Sequence, residues 1–170
     1  MDETRIRQAK QNYDAYLQED LLVKTRFDKD IYKKYLDNSL ESLQVAQETK
    51  NLSPLWTIVT SYYAMFYIAN AYLYKKGYKT KHKIVHKIIA DALITLARKE
   101  LEEQLIQEYE EEKDKALSLA QQLLDEFEYE RAKRSTFQYE MTKELKETKA
   151  ETSLNRAKNF VKTFRELLKQ

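Results

Sequence analysis

An all-α fold, an up-and-down bundle of five to six helices, is what this sequence predicts, and three observations predict it. One glycine and one proline among 170 residues leave few places for tight turns. Apolar residues recur at helical spacing along most of the chain. One stretch, SPLWTIVTSYYAMFYIANAYLYKK at 53–76, is apolar and aromatic on more than one side, and such a helix is normally buried on more than one side. A chain of this length reads as one domain, 1–170, able to bury a real core, with the helix at 1–19 free to lie at its periphery.

Taken in order, residues 2 to about 19 form a first helix, with Ile6, Ala9, Tyr13, Tyr16 and Leu17 on a modest apolar face and Asp2 and Glu3 suited to the positive end of the dipole. Residues 19–30 are a polar interruption, read as a bend or short loop. The second helix runs from about 28 to 49 on Ile31, Tyr35, Leu36, Leu40 and Leu43, and Asn51 to Ser53 make the turn. The central helix starts at Ser53 as N-cap with Pro54 at the first helical position. It ends at Gly77, the residue suited to a left-handed terminator. Leu55, Val59, Tyr62, Phe66, Ala69 and Leu73 form one stripe on it, and Trp56, Tyr63, Tyr67 and Tyr74 a second beside it. Its tyrosine, asparagine and threonine content argues against a membrane span.

The fourth helix carries Ile84, Val85, Ile88, Ile89, Ala92, Leu93 and Leu96. A fifth begins near 98–100 with Leu101, Leu105, Ile106 and Tyr109, and the run EYEEEKDK is either a solvated face or a junction between helices. An amphipathic pattern then continues from Ala116 towards Arg134. Residues 135–147 lose periodicity, and a last helix from about 148 presents Leu154, Ala157, Phe160, Val161, Phe164 and Leu168.

Composition excludes several functions. Without cysteine there is no disulfide, no thiolate metal site and no cysteine nucleophile. A single glycine cannot build a glycine-rich phosphate loop. The net charge of +2 makes a general nucleic-acid binder a poor reading, so any such role belongs to a local patch. The N-terminus MDETRIRQAK has no apolar signal core, and a cytoplasmic protein is the default expectation.

The densest patch is Lys75, Lys76, Lys79, Lys81, His82, Lys83, His86 and Lys87, with Tyr72, Tyr74 and Tyr78 among them. Cations and aromatics together hold phosphates and stack bases, although lysines after a helix also simply offset its dipole. His82 and His86 stand one helical turn apart, but no acidic third ligand shares the turn and the lysines repel cations, so no metal is expected. Asp91 and Asp125 read as salt-bridging surface carboxylates. In ERAKRSTFQYE, the cations Arg131, Lys133 and Arg134 precede Tyr139. Arg134 either pairs with Glu130 along a continuing helix or projects from a junction, where its planar fork suits phosphate.

Two blocks resemble the HEPN superfamily, small helical bundles named for higher eukaryotes and prokaryotes nucleotide-binding. SYYAMFYIANAYLYKKGYKTKHKIVH is similar to that family's central helix and lysine-rich turn. RSTFQY followed by SLNRAKNFVKTFRELL is similar to the ending of a prokaryotic subgroup, and the likeness covers roughly 28–168. The resemblance implies a dimer that binds RNA or nucleotide phosphate, or a protein partner such as a small nucleotidyltransferase in a toxin–antitoxin type pair. It implies no cofactor.

Many members of the family are metal-independent ribonucleases with an arginine followed four to six residues later by a histidine. Arg134 matches the arginine, Tyr139 stands where the histidine is needed, and Gln138 replaces the subgroup's aspartate. A phenol with a pKa near 10 is a poor base at neutral pH. The leading expectation is therefore a binding module with a degenerate catalytic pair, Arg134 and Tyr139, and phosphate contacts from Lys79, Lys81, His82, Lys83, His86, Arg131 and Arg134. Two alternatives stand beside it: an endoribonuclease that borrows His82 or His86 from elsewhere, and a purely structural adaptor.

Overall fold

The computed structural model describes residues 1–81, 85–132 and 143–169, with side chains described outside 122–146. Among the described residues there are six helices: α1 (Glu3–Gln18), α2 (Lys29–Thr49), α3 (Pro54–Lys75), α4 (Val85–Leu96), α5 (Glu103–Ala132) and α6 (Lys143–Leu167). The all-α expectation holds for the body of the molecule.

The caps follow the local chemistry. Asp2 accepts from the Arg5 amide, Asp28 from the amides of Asp30 and Ile31, and Ser53 from that of Trp56, so each start has an oxygen for its unpaired donors. At the other end of α3, Gly77 adopts φ +87, a conformation costly for any residue with a Cβ. Its amide donates to the Tyr74 carbonyl and its own carbonyl accepts from the Thr25 amide, so this glycine both stops α3 and fixes the loop before α2.

That tie leads to a correction. Residues 19–30, read from the sequence as a bend or loop, contain a strand β1 (Leu22–Lys24) that pairs antiparallel with β2 (Tyr78–Thr80), Val23 opposite Lys79. Three-residue strands are too short to show a period of two, and only Leu22 of β1 is fully buried.

α3 is the centre of the bundle, with α2, α4, α5 and α6 all packed on it. Tyr62, Met65, Ile68, Tyr72, Leu73 and Tyr74 are at most 2% exposed. Phe160 and Phe164 of α6 stack at 4.4 Å, Tyr109 of α5 stacks on Phe160 at 5.3 Å, and Tyr72 meets Phe164 edge-on at 5.5 Å. Such aromatic pairs add about 1 kcal/mol each beyond the area they bury. The second predicted stripe fares differently. Tyr74 is covered by Phe27 and Tyr35, whereas Tyr63 and Tyr67 are half-buried and Trp56 is 54% exposed. The N-terminal part of α3 thus keeps one side open.

Two carboxylates depart from the sequence reading. Asp91 is not a surface group: it is fully buried on α4, with Tyr16 and Asn12 of α1 donating to Oδ2 at 2.9 Å and Arg5 Nη2 beside Oδ1 at 2.7 Å. Its salt-bridging role is as expected. The acidic run EYEEEKDK at 108–115 is neither a junction nor wholly solvated. α5 passes through it unbroken, Tyr109 and Glu112 are fully buried, and Arg156 of α6 and Lys115 both reach Glu112 Oε1. A charge taken out of water needs such partners. The last helix begins five residues earlier than its apolar pattern, because Leu145 is the one apolar residue of 143–147 and a single position gives no face to read. Asp125 lies among the residues whose side chains are not described.

Candidate functional site

The basic cluster divides once it is placed in the fold. Lys75 donates to the Leu168 carbonyl at the end of α6, and Lys76 pairs with Glu100 at 2.8 Å, so these two hold the bundle together. Lys79 on β2, Lys81 just after it and Lys87 on α4 are exposed. His82, Lys83, Arg134, Tyr139 and Gln138 lie outside the described residues, as does the side chain of Arg131 on α5.

His86, in the first turn of α4, is the member of the cluster with a built environment. Its ring rests on Phe66 at 4.7 Å and lies near Tyr62 and Tyr63 at 5.6 and 6.1 Å between centroids. Tyr62 Oη is 2.6 Å from its Nδ1. Burial, with Lys113 of α5 as a smaller second cause, holds the imidazole below its ordinary pKa, so at neutral pH the ring is uncharged.

Burial, first of all, drives the Tyr62 phenol far above its ordinary range, with Tyr109 adding to the effect. Tyr62 therefore keeps its proton, and the short contact joins two neutral groups, the phenol donating to Nδ1 when the ring proton is on Nε2 and accepting from Nδ1 in the other tautomer. Behind Tyr62 stands Tyr109, ring centroids 5.8 Å apart, whose fully buried hydroxyl finds no completed hydrogen bond among the described residues. Its phenol too is pushed up by burial.

This arrangement sets a neutral imidazole among aromatic rings, with Lys113, itself paired with Asp114 at 3.2 Å, acting on it electrostatically and exposed lysines on either side in sequence at 81 and 87. Chemically it is suited to receive an anionic oxygen. With its proton affinity lowered by burial, it is a weaker base than an ordinary histidine. Among the described residues no group of three or more His, Asp or Glu side chains is placed to hold a metal ion, and no helix is long and apolar enough to cross a membrane.

The sequence singled out His86 but not its partners. Tyr62 and His86 lie on opposite sides of the turn at Gly77, which is the one signal that could have paired them. Lys113, embedded in the acidic run, gives none. The HEPN domain model matches residues 32–167, which includes α3, α4 and all of the His86 environment. No curated protein and no solved structure matches the chain.

Proposed function

The chain belongs to the HEPN family, and from that premise we propose that it binds a phosphate group of RNA or of a nucleotide at the start of α4, as a homodimer, without turning RNA over efficiently. The observation that carries this reading is the 2.6 Å contact between Tyr62 and His86. It ties a neutral histidine of lowered proton affinity to a buried phenol, in a stretch of chain that also carries the exposed Lys81 and Lys87. An incoming phosphate would raise the histidine's proton affinity, so binding and protonation reinforce each other.

The open side of α3, with Trp56, Tyr63 and Tyr67, is the apolar surface that a second copy would cover. A small nucleotidyltransferase as the protein partner is the reading that the family resemblance favours. An adjacent reading frame encoding such an enzyme, and its co-purification with this chain, would support it.

The test is fluorescence anisotropy of labelled single-stranded RNA and of a labelled nucleotide in EDTA, across a series of salt concentrations. Binding that weakens steeply with salt, and weakens further in His86→Ala and in the double change Lys81→Ala with Lys87→Ala, is the expected result. Binding unaffected by these changes would move the site elsewhere.

A further inference from the structure

A second cationic feature lies away from His86, where α2 packs beside α6. A groove of about 300 Å³ there is lined by Leu40 and Leu43 of α2 and by Val161, Lys158, Lys162, Arg165, Glu166 and Lys169 at and beyond the end of α6. The four cations are spaced four, three and four residues apart, which places them along one side of the helix. From the first to the last they extend about 16 Å, three helical turns. All four are exposed, and none is in an ion pair with another described residue.

Offsetting the dipole of α6 does not account for them. Only Arg165 lies in the last turn of the helix, and the effect of the dipole fades within that turn. The terminal carbonyl of Leu168 is already capped by Lys75 of α3 at 2.7 Å. Solvation does not account for the floor either, since Leu40 stands 40% exposed between the cations and the rest of α2.

We propose that this groove docks an acidic amphipathic helix of a partner protein. Charge and shape complementarity identify the occupant. A helix of about three turns spans the cation row, its carboxylates meet Lys158, Lys162, Arg165 and Lys169, and its apolar stripe covers Leu40 and Leu43. A phosphate backbone would satisfy the cations and leave the leucines uncovered. A free phosphate would need cations that converge, and these are strung out in a line. Glu166, the one carboxylate of the lining, disfavours a uniformly anionic strand and accepts a single basic or amide side chain of a peptide.

The experiment uses the full chain labelled with nitrogen-15 and three probes. These are a 14-residue helical peptide with leucines at i, i+3, i+7 and i+10 flanked by glutamates, a peptide of the same composition with the leucines dispersed, and single-stranded uridine RNA of equal charge. The ordered peptide should shift the amide resonances of Leu40, Leu43 and Val161 together with those of 158–169, and bind at least about tenfold more tightly than the dispersed one. Lys162→Glu with Arg165→Glu should weaken it by about tenfold or more, and a peptide with lysines in place of glutamates should recover the loss on that variant. Leu40→Gln, a change at a partly exposed position, should weaken the ordered peptide and leave the weak binding of the dispersed one as it was. No shifts in the groove, equal binding of both peptides, or tighter binding of the RNA there would each overturn the proposal. The last would assign the groove to nucleic acid.

Discussion

Arg5 Nη2 and Asp91 Oδ1 stand 2.7 Å apart, and the contact ties the N-terminal helix to the helix that carries His86. Arg5 also reaches Glu110 of α5, so three helices meet at one guanidinium. The family match begins only at residue 32, yet α1 buries Ala9, Tyr13 and Tyr16 and supplies the counter-charge for a carboxylate with no exposure of its own.

Removing that counter-charge is the first prediction. Arg5→Met leaves the Asp91 carboxylate buried with two neutral donors and should cost about 3 kcal/mol. For a chain of this size that corresponds to a fall in Tm of about 6–12 °C. Arg5→Met combined with Asp91→Leu should recover much of the loss, because the uncompensated charge is gone. Thermal unfolding followed by circular dichroism decides it. A single variant within about 1 °C of wild type would mean that Tyr16 and Asn12 alone hold the carboxylate.

How much of this was legible in the sequence follows from what each element needed. α3 could be read almost to the residue, since Ser53, Pro54 and Gly77 mark its ends and its apolar run is unbroken. The strand pair could not, because its pairing is long-range and each strand is three residues long. Asp91 and Glu112 were misread for one reason: a carboxylate in an amphipathic helix looks solvated until the helix that brings its arginine is placed. His86 was visible as part of a basic cluster. Its protonation state was not, because that depends on Phe66, Tyr62 and Lys113, which only the fold assembles.

The Tyr62–His86 bond leads to a prediction about protonation. Tyr62→Phe keeps the ring packing and removes the hydroxyl that contacts Nδ1, while burial and Lys113, which hold the imidazole pKa down, remain, so the pKa should stay below its ordinary value and the tautomer should be free to change. The lost hydrogen bond should cost about 1 kcal/mol. Ring nitrogen-15 shifts across a pH series report both the pKa and the tautomer. An unchanged tautomer in Tyr62→Phe would show that the pocket, and not the phenol, sets it.

Stability should fall on both sides of neutrality. His86 titrates below its ordinary value in the folded state, so on lowering the pH through and below about 6.5 the unfolded chain takes the proton first and stability drops. Tyr16, Tyr62 and Tyr109 titrate above their ordinary value, each chiefly through burial. Above about pH 10 the unfolded chain loses those protons first, and stability falls again. Denaturant midpoints at pH 5, 7 and 10.5 measure this, and His86→Gln should flatten the acid side alone.

Trp56 is the only tryptophan and is 54% exposed on the open side of α3, so it reports on any second copy that covers that side. Its emission should shift to the blue as protein concentration rises through the micromolar range, in step with the dimer fraction seen by sedimentation equilibrium. Leu52→Lys with Trp56→Lys should leave a folded 20.4 kDa species. Emission that is independent of concentration, with sedimentation still reporting a dimer, would place the interface on another face.

The last prediction concerns whether the protein cuts RNA. Metal-independent cleavage needs a base for the 2′-hydroxyl proton, an acid for the leaving oxygen and a cation for the charge that builds on phosphorus. Lys113, the exposed lysines and Arg134 supply cations. Tyr139, at the histidine position of the family motif, is a weak base at neutral pH, and His86 has a proton affinity lowered by its burial. A positioned acid–base pair is worth about 10²- to 10⁴-fold, so a site with charge and no tuned base should hold RNA far better than it turns it over. Wild type incubated with single-stranded RNA in excess EDTA should give salt-sensitive binding and negligible cleavage, and Arg134→Ala should bind more weakly. Tyr139→His restores the family spacing and should raise cleavage from that baseline if Arg134 and residue 139 share a site. Robust cutting by the wild type, abolished both in Arg134→Ala and when His82 and His86 are changed together to Ala, would establish the protein as a ribonuclease with a borrowed histidine and overturn the binding-module reading.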